Sequence, residues 1–254
     1  MSKNFELMQQ AQIGIGGSAA LTGLAIGSTQ PATVAEPAVG RIMVPDSAVR
    51  EESLKLVQRL FLAPGQGAPK VVTFVGVEQG NGCSRLCAVS ANLLAESVSG
   101  SVCLLEGDFR GPSLPALFGV DNHHGLSDAL RQDGSIRNFA RRVARDNLWL
   151  LSCGSLGPDA LTSLSSDRMK HRIEELRKEF DYVLIDSPPL TAYADALIVG
   201  RLSDGAVLVV EANATRREAA LRVADSLKSS RIPVLGVVLN KRTFPIPGAL
   251  YKRL

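Results

Sequence analysis

The chain has 254 residues, 45% of them hydrophobic, with 28 basic against 25 acidic side chains and a formal net charge of +3. That length and apolar content suffice for one sizeable core, and the near balance of charge gives no ground for a nucleic-acid or lipid-surface binder. The four cysteines, Cys83, Cys87, Cys103 and Cys153, form no C-x-x-C pair and no zinc-type cluster, which argues for reduced cytoplasmic thiols and against a metal finger.

Residues 1–45 are rich in Gly, Ala, Ser, Thr and Pro without a sustained period and read as a flexible leader and linker. Ile13 to Gly27 is its one membrane-like stretch. It is broken by Gly14, Gly16, Gly17 and Gly23, and it falls short of the roughly 20 residues that cross a hydrocarbon core. With no basic n-region or clear cleavage site, it is not read as a signal peptide. The folded domain is expected over 46–241, followed by a tail, 242–254. After Pro45, Asp46 or Ser47 can cap a helix whose Leu54, Val57 and Phe61 share a face. Ala63-Pro64-Gly65-Gln66-Gly67 ends it.

Lys70 to Val77 is a continuous β-branched run, as expected of a strand buried on both faces. Glu78-Gln79-Gly80-Asn81-Gly82-Cys83-Ser84-Arg85 follows, and then Leu86, Val89, Leu93 and Leu94 recur at helical spacing. Strand, glycine turn and helix in this order form the context of a phosphate-binding P-loop. Against G-x-x-x-x-G-K-S/T, Gly82 and Ser84 are in register, but Val77 replaces the first glycine and Cys83 the lysine. A charge about 4 Å from a phosphate oxygen is worth roughly 4 kcal/mol at an effective dielectric of about 20. Arg85 and Arg110 are the candidates to recover part of it; a plain strand-to-helix turn is the alternative reading. At a helix N-terminus, Cys83 is expected to favour the thiolate and to react first among the four cysteines. Cys83 and Cys87, one turn apart, are also the one pair placed for metal or redox chemistry, though no further ligand accompanies them.

Val102 to Leu105 reads as a second buried strand, ending in Glu106-Gly107-Asp108-Phe109-Arg110. Two acids and an arginine there suit either a Mg²⁺ site or strand-end solvation. Gly125 to Leu130 opens a short helix, Arg131 to Arg145 is a basic, weakly amphipathic stretch, and Leu148 to Ser152 a short strand. Arg137, Arg141, Arg142 and Arg145 read as a solvated helix face. Met169, Ile173, Leu176 and Phe180 mark an amphipathic helix leading to Tyr182-Val183-Leu184-Ile185-Asp186, an apolar strand ending in an acid of Walker B type. Ala206 to Val210 is another strand, Thr215-Arg216-Arg217-Glu218 a capping box, and Val234 to Leu239 a last apolar strand before Asn240-Lys241. Alternating strands and helices imply an α/β fold: a doubly wound, mostly parallel sheet flanked by helices, with ligands at the carboxyl ends of the strands.

With these motifs placed, residues from about Arg50 to Lys241 resemble the bacterial tyrosine kinases of capsule and exopolysaccharide synthesis, within the MinD/ParA-like P-loop group. The resemblance rests on Asp108-Phe109-Arg110-Gly111-Pro112-Ser113-Leu114, Leu117-Phe118-Gly119, Gly125 to Leu130, Phe180 to Pro189 with Ala194-Asp195-Ala196, and Gly236 to Asn240. It implies ATP or ADP with Mg²⁺ as cofactor, nucleotide contacts at Gly80, Asn81, Gly82, Cys83, Ser84, Arg85 and Asn240, and a metal held through Ser84, Asp108 and Asp186. Asp108 and Asp186 would be catalytic in an active member. It further implies a cytoplasmic protein recruited to the inner membrane face by a chain-length-determinant or polysaccharide co-polymerase partner.

The departures fall on the chemistry. Cys83 stands at the lysine position, Arg85 at the second threonine of the family loop, Glu106 at the first aspartate of D-x-D, and Pro158-Asp159 where Pro-Asn-Pro is usual. The family's E-x-x-R-x-x-R, which serves ring assembly into a homo-oligomer, becomes Glu52, Lys55 and Gln58, and its tail tyrosine cluster shrinks to Tyr251. Two expectations follow: a regulatory relative with weakened or lost nucleotide chemistry, favoured here, or a working ATP-dependent autokinase. A MinD/ParA-type positioning ATPase ranks third, because the second lysine of that group's loop would fall at Glu78.

Overall fold

The computed structural model describes residues 47–63 and 67–242. The leader, the Asp46 cap and the tail with Tyr251 lie outside the described residues. In chain order the elements are α1 (Ser47–Val57, continued by a π-turn, Gln58–Leu62), β1 (Val71–Gly76), α2 (Cys83–Ser97), β2 (Val102–Glu106), α3 (Leu114–Phe118) and α4 (Leu126–Ala129). After a 3-10 turn (Ile136–Phe139) come β3 (Arg141–Val143), β4 (Arg145–Leu151), α5 (Ala160–Ser163), α6 (Asp167–Glu179) and β5 (Tyr182–Ser187). The chain continues through α7 (Asp195–Gly200), β6 (Gly205–Glu211), α8 (Arg217–Ser229) and β7 (Val234–Asn240).

The strands form one seven-stranded sheet in the order β3-β4-β2-β5-β1-β6-β7, parallel throughout except for the β3/β4 pair. The five apolar runs are therefore adjacent and parallel, as expected. Because successive side chains leave opposite faces of a strand, each run feeds two layers. Phe74, Leu104 and Leu184 pack under α1 and α2 on one face. Cys103, Leu105, Val183 and Ile185 meet Met169, Ile173 and Leu176 of α6 on the other, and Val75, Ala206 and Leu208 meet α7 and α8. The expected face of the first helix is confirmed, with Val57 and Phe61 buried and Leu54 against the same core.

Three expectations are corrected. The arginine run shares no helix face: Arg137 lies in the 3-10 turn, Arg141 begins β3 and Arg145 begins β4, with the turn between the two strands made at Ala144 in the left-handed region. Its members are partnered, Arg141 with Asp121, Arg145 with Glu96, and Arg137 and Arg142 against Trp149. The capping box does not form, because the Thr215 hydroxyl accepts from the Glu211 N–H and α8 starts without a side-chain cap. Finally, β7 is not buried on both faces. It is the sheet's edge, and Val237 and Leu239 are 63% and 55% exposed.

These positions give opposite expectations for truncation. Phe74→Ala, in the interior strand β1, should cost about 3–5 kcal/mol, whereas Val237→Ala should shift stability by about 0.5 kcal/mol or less. Urea unfolding of both variants checks this; equal losses would contradict the layer assignment.

Candidate functional site

The site forms where β1, β2 and β5 end. Between β1 and α2 the chain turns through Gly80 and Gly82, whose φ values of +82° and +81° lie in the left-handed region that glycine takes without strain. A Cβ on Gly82 would also lie 2.6 Å from Asn240 Nδ2. Buried Asn81 pins the turn from inside: its Nδ2 donates to Val209 O (2.9 Å) and its Oδ1 accepts from Cys83 N (3.1 Å). From outside, Asn240 Nδ2 donates to Asn81 O (2.8 Å) and Lys241 Nζ to Gly80 O (2.6 Å). The N–H groups of Ser84 and Arg85, in the first turn of α2, have no hydrogen-bond acceptor among the described residues. They are the donors a helix N-terminus offers to an anion.

A cleft of about 320 Å³ opens above this loop, lined by Glu78 to Arg85, by Asp108 and Arg110 after β2, by Ser187 at the end of β5 and by Tyr193 beyond it. Of the residues expected at the site, Gly80, Gly82, Cys83, Ser84, Arg85 and Asp108 line the cleft, and Asn81 does so with its side chain turned into the fold. Asn240 does not reach the lining and instead braces the loop; Asp186 lies beneath it, fully buried. Arg110 is committed to Asp195 (2.6 Å) and lies over the Tyr193 ring, 4.2 Å from its centroid. Glu106 proves structural: Oε2 accepts from the N–H groups of Ser113 and Leu114, at the start of α3. Sequence reasoning missed Lys241, whose only signal was a basic residue directly after the last strand.

Asp186 sets the electrostatics. Both its oxygens, and Glu106 Oε1, are buried without a hydrogen-bond partner among the described residues. Burial pushes the Asp186 carboxyl up to about 7; the Ser84 hydroxyl works against this, the Asp108 charge adds to it, and Cys83 and Glu106 offset part of the rise. Burial also raises Glu106, with the Asp186 charge adding to the effect. The Cys83 thiol is pushed well above its usual range, by burial first and then by Asp186. The expected thiolate is thus overturned, since desolvation and facing acids outweigh the helix dipole. Cys83, Cys87 and Cys103 are all buried with raised pKa values, so none is primed to react first.

No group of three or more His, Cys, Asp and Glu side chains among the described residues is placed to hold a metal ion, so Cys83 and Cys87 nucleate no such centre. Mg²⁺ on a nucleotide needs fewer protein ligands, because phosphate oxygens and water supply the rest. The hydroxyl of Ser84 and the carboxyls of Asp108 and Asp186 are oxygen donors of the right kind. The unpartnered Asp186 oxygens are the groups that a cation, or an ammonium at position 83, would satisfy.

Between 3.8, the ordinary carboxyl value, and about 7, folded Asp186 keeps a proton that the unfolded chain has lost. Stability should therefore fall as pH rises through that window and level off above it. With chelator present and no nucleotide, Asp186→Asn should flatten this slope, raising the urea midpoint at pH 8 relative to pH 5. An identical pH dependence in wild type and variant would contradict the assignment.

Comparison with known proteins agrees with the geometry. Residues 70–250 match the ParA family model, described as NUBPL iron-transfer P-loop NTPase. The chain is 30% identical over 171 residues to the tyrosine-protein kinase YwqD of Bacillus subtilis (strain 168), covering 67% of this chain and 72% of that one. The kinase domain of the Escherichia coli tyrosine kinase ETK superimposes with a TM-score of 0.71 at 23% identity, over 78% of each chain. The septum site-determining protein MinD of Pyrococcus horikoshii OT3, complexed with Mg-ADP, does so with a TM-score of 0.56 at 23% identity, over 72% of this chain and 78% of that one.

Proposed function

Because this chain belongs to the ParA-family P-loop NTPases and, among them, to the bacterial tyrosine-protein kinases, we propose that it is a regulatory member of a capsule or exopolysaccharide export system. In this reading it acts more by binding than by phosphoryl transfer. Its partner is a membrane-anchored chain-length or co-polymerase protein that recruits it from the cytoplasm to the inner face of the membrane. No helix among the described residues is long and apolar enough to cross a membrane, which fits recruitment by a separate anchor.

The observation that carries the proposal is Cys83, a buried neutral thiol beside Asp186 at the position where the family's loop carries lysine. Ser84, Asp108 and Asp186 would hold Mg²⁺ in the cleft, and bound Mg²⁺-ATP would bring the phosphoryl group. The chain's own contribution to an anion is then the free amides of the first turn of α2, with Arg85 at the cleft wall. Phosphoryl transfer depends on electrostatic stabilisation of developing charge. One missing ammonium of roughly 4 kcal/mol corresponds to about three decades in rate or affinity, and Arg110, tied to Asp195, is not free to replace it. A second reading, an active autokinase, draws on the retained Mg²⁺-side groups and the unsatisfied oxygens of Asp186.

Two strains of the native host separate these readings, one lacking the gene and one carrying Asp108→Ala with Asp186→Ala. The proposal expects deletion to abolish polymer export and the folded double variant to export normally. Loss of export in both, with loss of tyrosine phosphate, would establish the kinase instead.

A further inference from the structure

Lys241 follows β7 in the left-handed region, with φ of +55°, a value few non-glycine residues adopt and one that marks constraint. The turn sends its side chain back across the sheet's carboxyl edge. Nζ bonds to the Gly80 carbonyl at 2.6 Å and to Glu211 Oε2 at 3.2 Å, with the side chain 47% exposed. A charge-assisted bond of this kind is about twice as strong as a neutral one. In a trans peptide, C=O and N–H point in opposite directions. Holding the Gly80 and Asn81 carbonyls outward, through Lys241 and Asn240, therefore turns the next two N–H groups, of Asn81 and Gly82, to the opposite side of the loop. Successive amides arranged around left-handed glycines form an anion-binding nest.

We propose that Lys241 is a positioning residue for the anion-binding loop: its ammonium, fixed by Glu211, clamps the Gly80 carbonyl and orders from behind a loop that has no lysine of its own. Paired with Glu211, Lys241 does not stand in for the charge missing at position 83; it orders the peptides of the loop from their carbonyl side. Cys83 is the thiol that reports on this clamp, because it directly follows the loop and its N–H donates to Asn81 Oδ1 at 3.1 Å.

This inference rests on the reading of the cleft as an anion site only in its binding arm, so the test has two arms on the full chain. In the first, without ligand, N-ethylmaleimide labelling of Cys83 is timed by mass spectrometry for wild type, Lys241→Met and Lys241→Arg. Loss of one charge-assisted hydrogen bond should speed labelling in Lys241→Met roughly tenfold, while Lys241→Arg stays near wild type. In the second, Mg²⁺ with inorganic pyrophosphate is titrated calorimetrically, and Lys241→Met should bind roughly tenfold more weakly, with Lys241→Arg again preserved. If wild type binds no pyrophosphate but labelling responds as expected, the clamp stands and the nucleotide reading of the cleft falls. Unchanged labelling in Lys241→Met, or a Lys241→Arg variant as loose as Lys241→Met, would overturn the clamp whatever the binding arm shows.

Discussion

The site is organised by a buried carboxyl that lacks a counter-charge. Asp186 is the penultimate residue of a strand flanked on both sides by parallel neighbours, so the fold places it away from water. Its neighbours there are Ser84, Asp108, Cys83 and Glu106, none of them cationic. An ionised carboxylate in such a place is costly, and the group responds by holding its proton to about pH 7. A lysine at position 83 would remove the problem, and the thiol that stands there only shares the burial.

The loop is held by hydrogen bonds that do not involve the side chain at position 83. Asn81 braces the loop internally, while Asn240 and Lys241 brace it from the last strand. Cysteine behaves as a small apolar side chain when desolvated, which suits the first turn of α2 where Cys83 and Cys87 face the core. The loop therefore keeps the shape of a phosphate cradle after losing its main charge.

Much of this was legible in the chain. Continuous apolar runs identified five parallel strands, and the Gly80-Asn81-Gly82 turn after the first of them located the cleft. What escaped was set by tertiary context. Val237 and Leu239 are as apolar as residues of a central strand, and only sheet order makes theirs the edge. Thr215 and Glu218 had capping-box spacing, but the hydroxyl found a nearer donor in the Glu211 N–H. The arginines around Ala144 fit a helical face until the pairing of Arg142 with Trp149 closed a hairpin. Local position made Cys83 look acidic, whereas burial first, and then acids from β5 and the turn after β2, distant in sequence, make it the reverse. Lys241 approaches Gly80 across 161 positions of chain, a contact no local pattern encodes.

Calorimetric titration of Mg²⁺-ATP into wild type and into Cys83→Lys tests the central claim most directly, since one side chain is asked to restore the charge the loop lacks. The predicted result is binding weaker than micromolar in wild type, strengthened by up to about three decades in the variant. Micromolar or tighter binding by wild type, unchanged in Cys83→Lys, would show that the missing lysine does not govern this site.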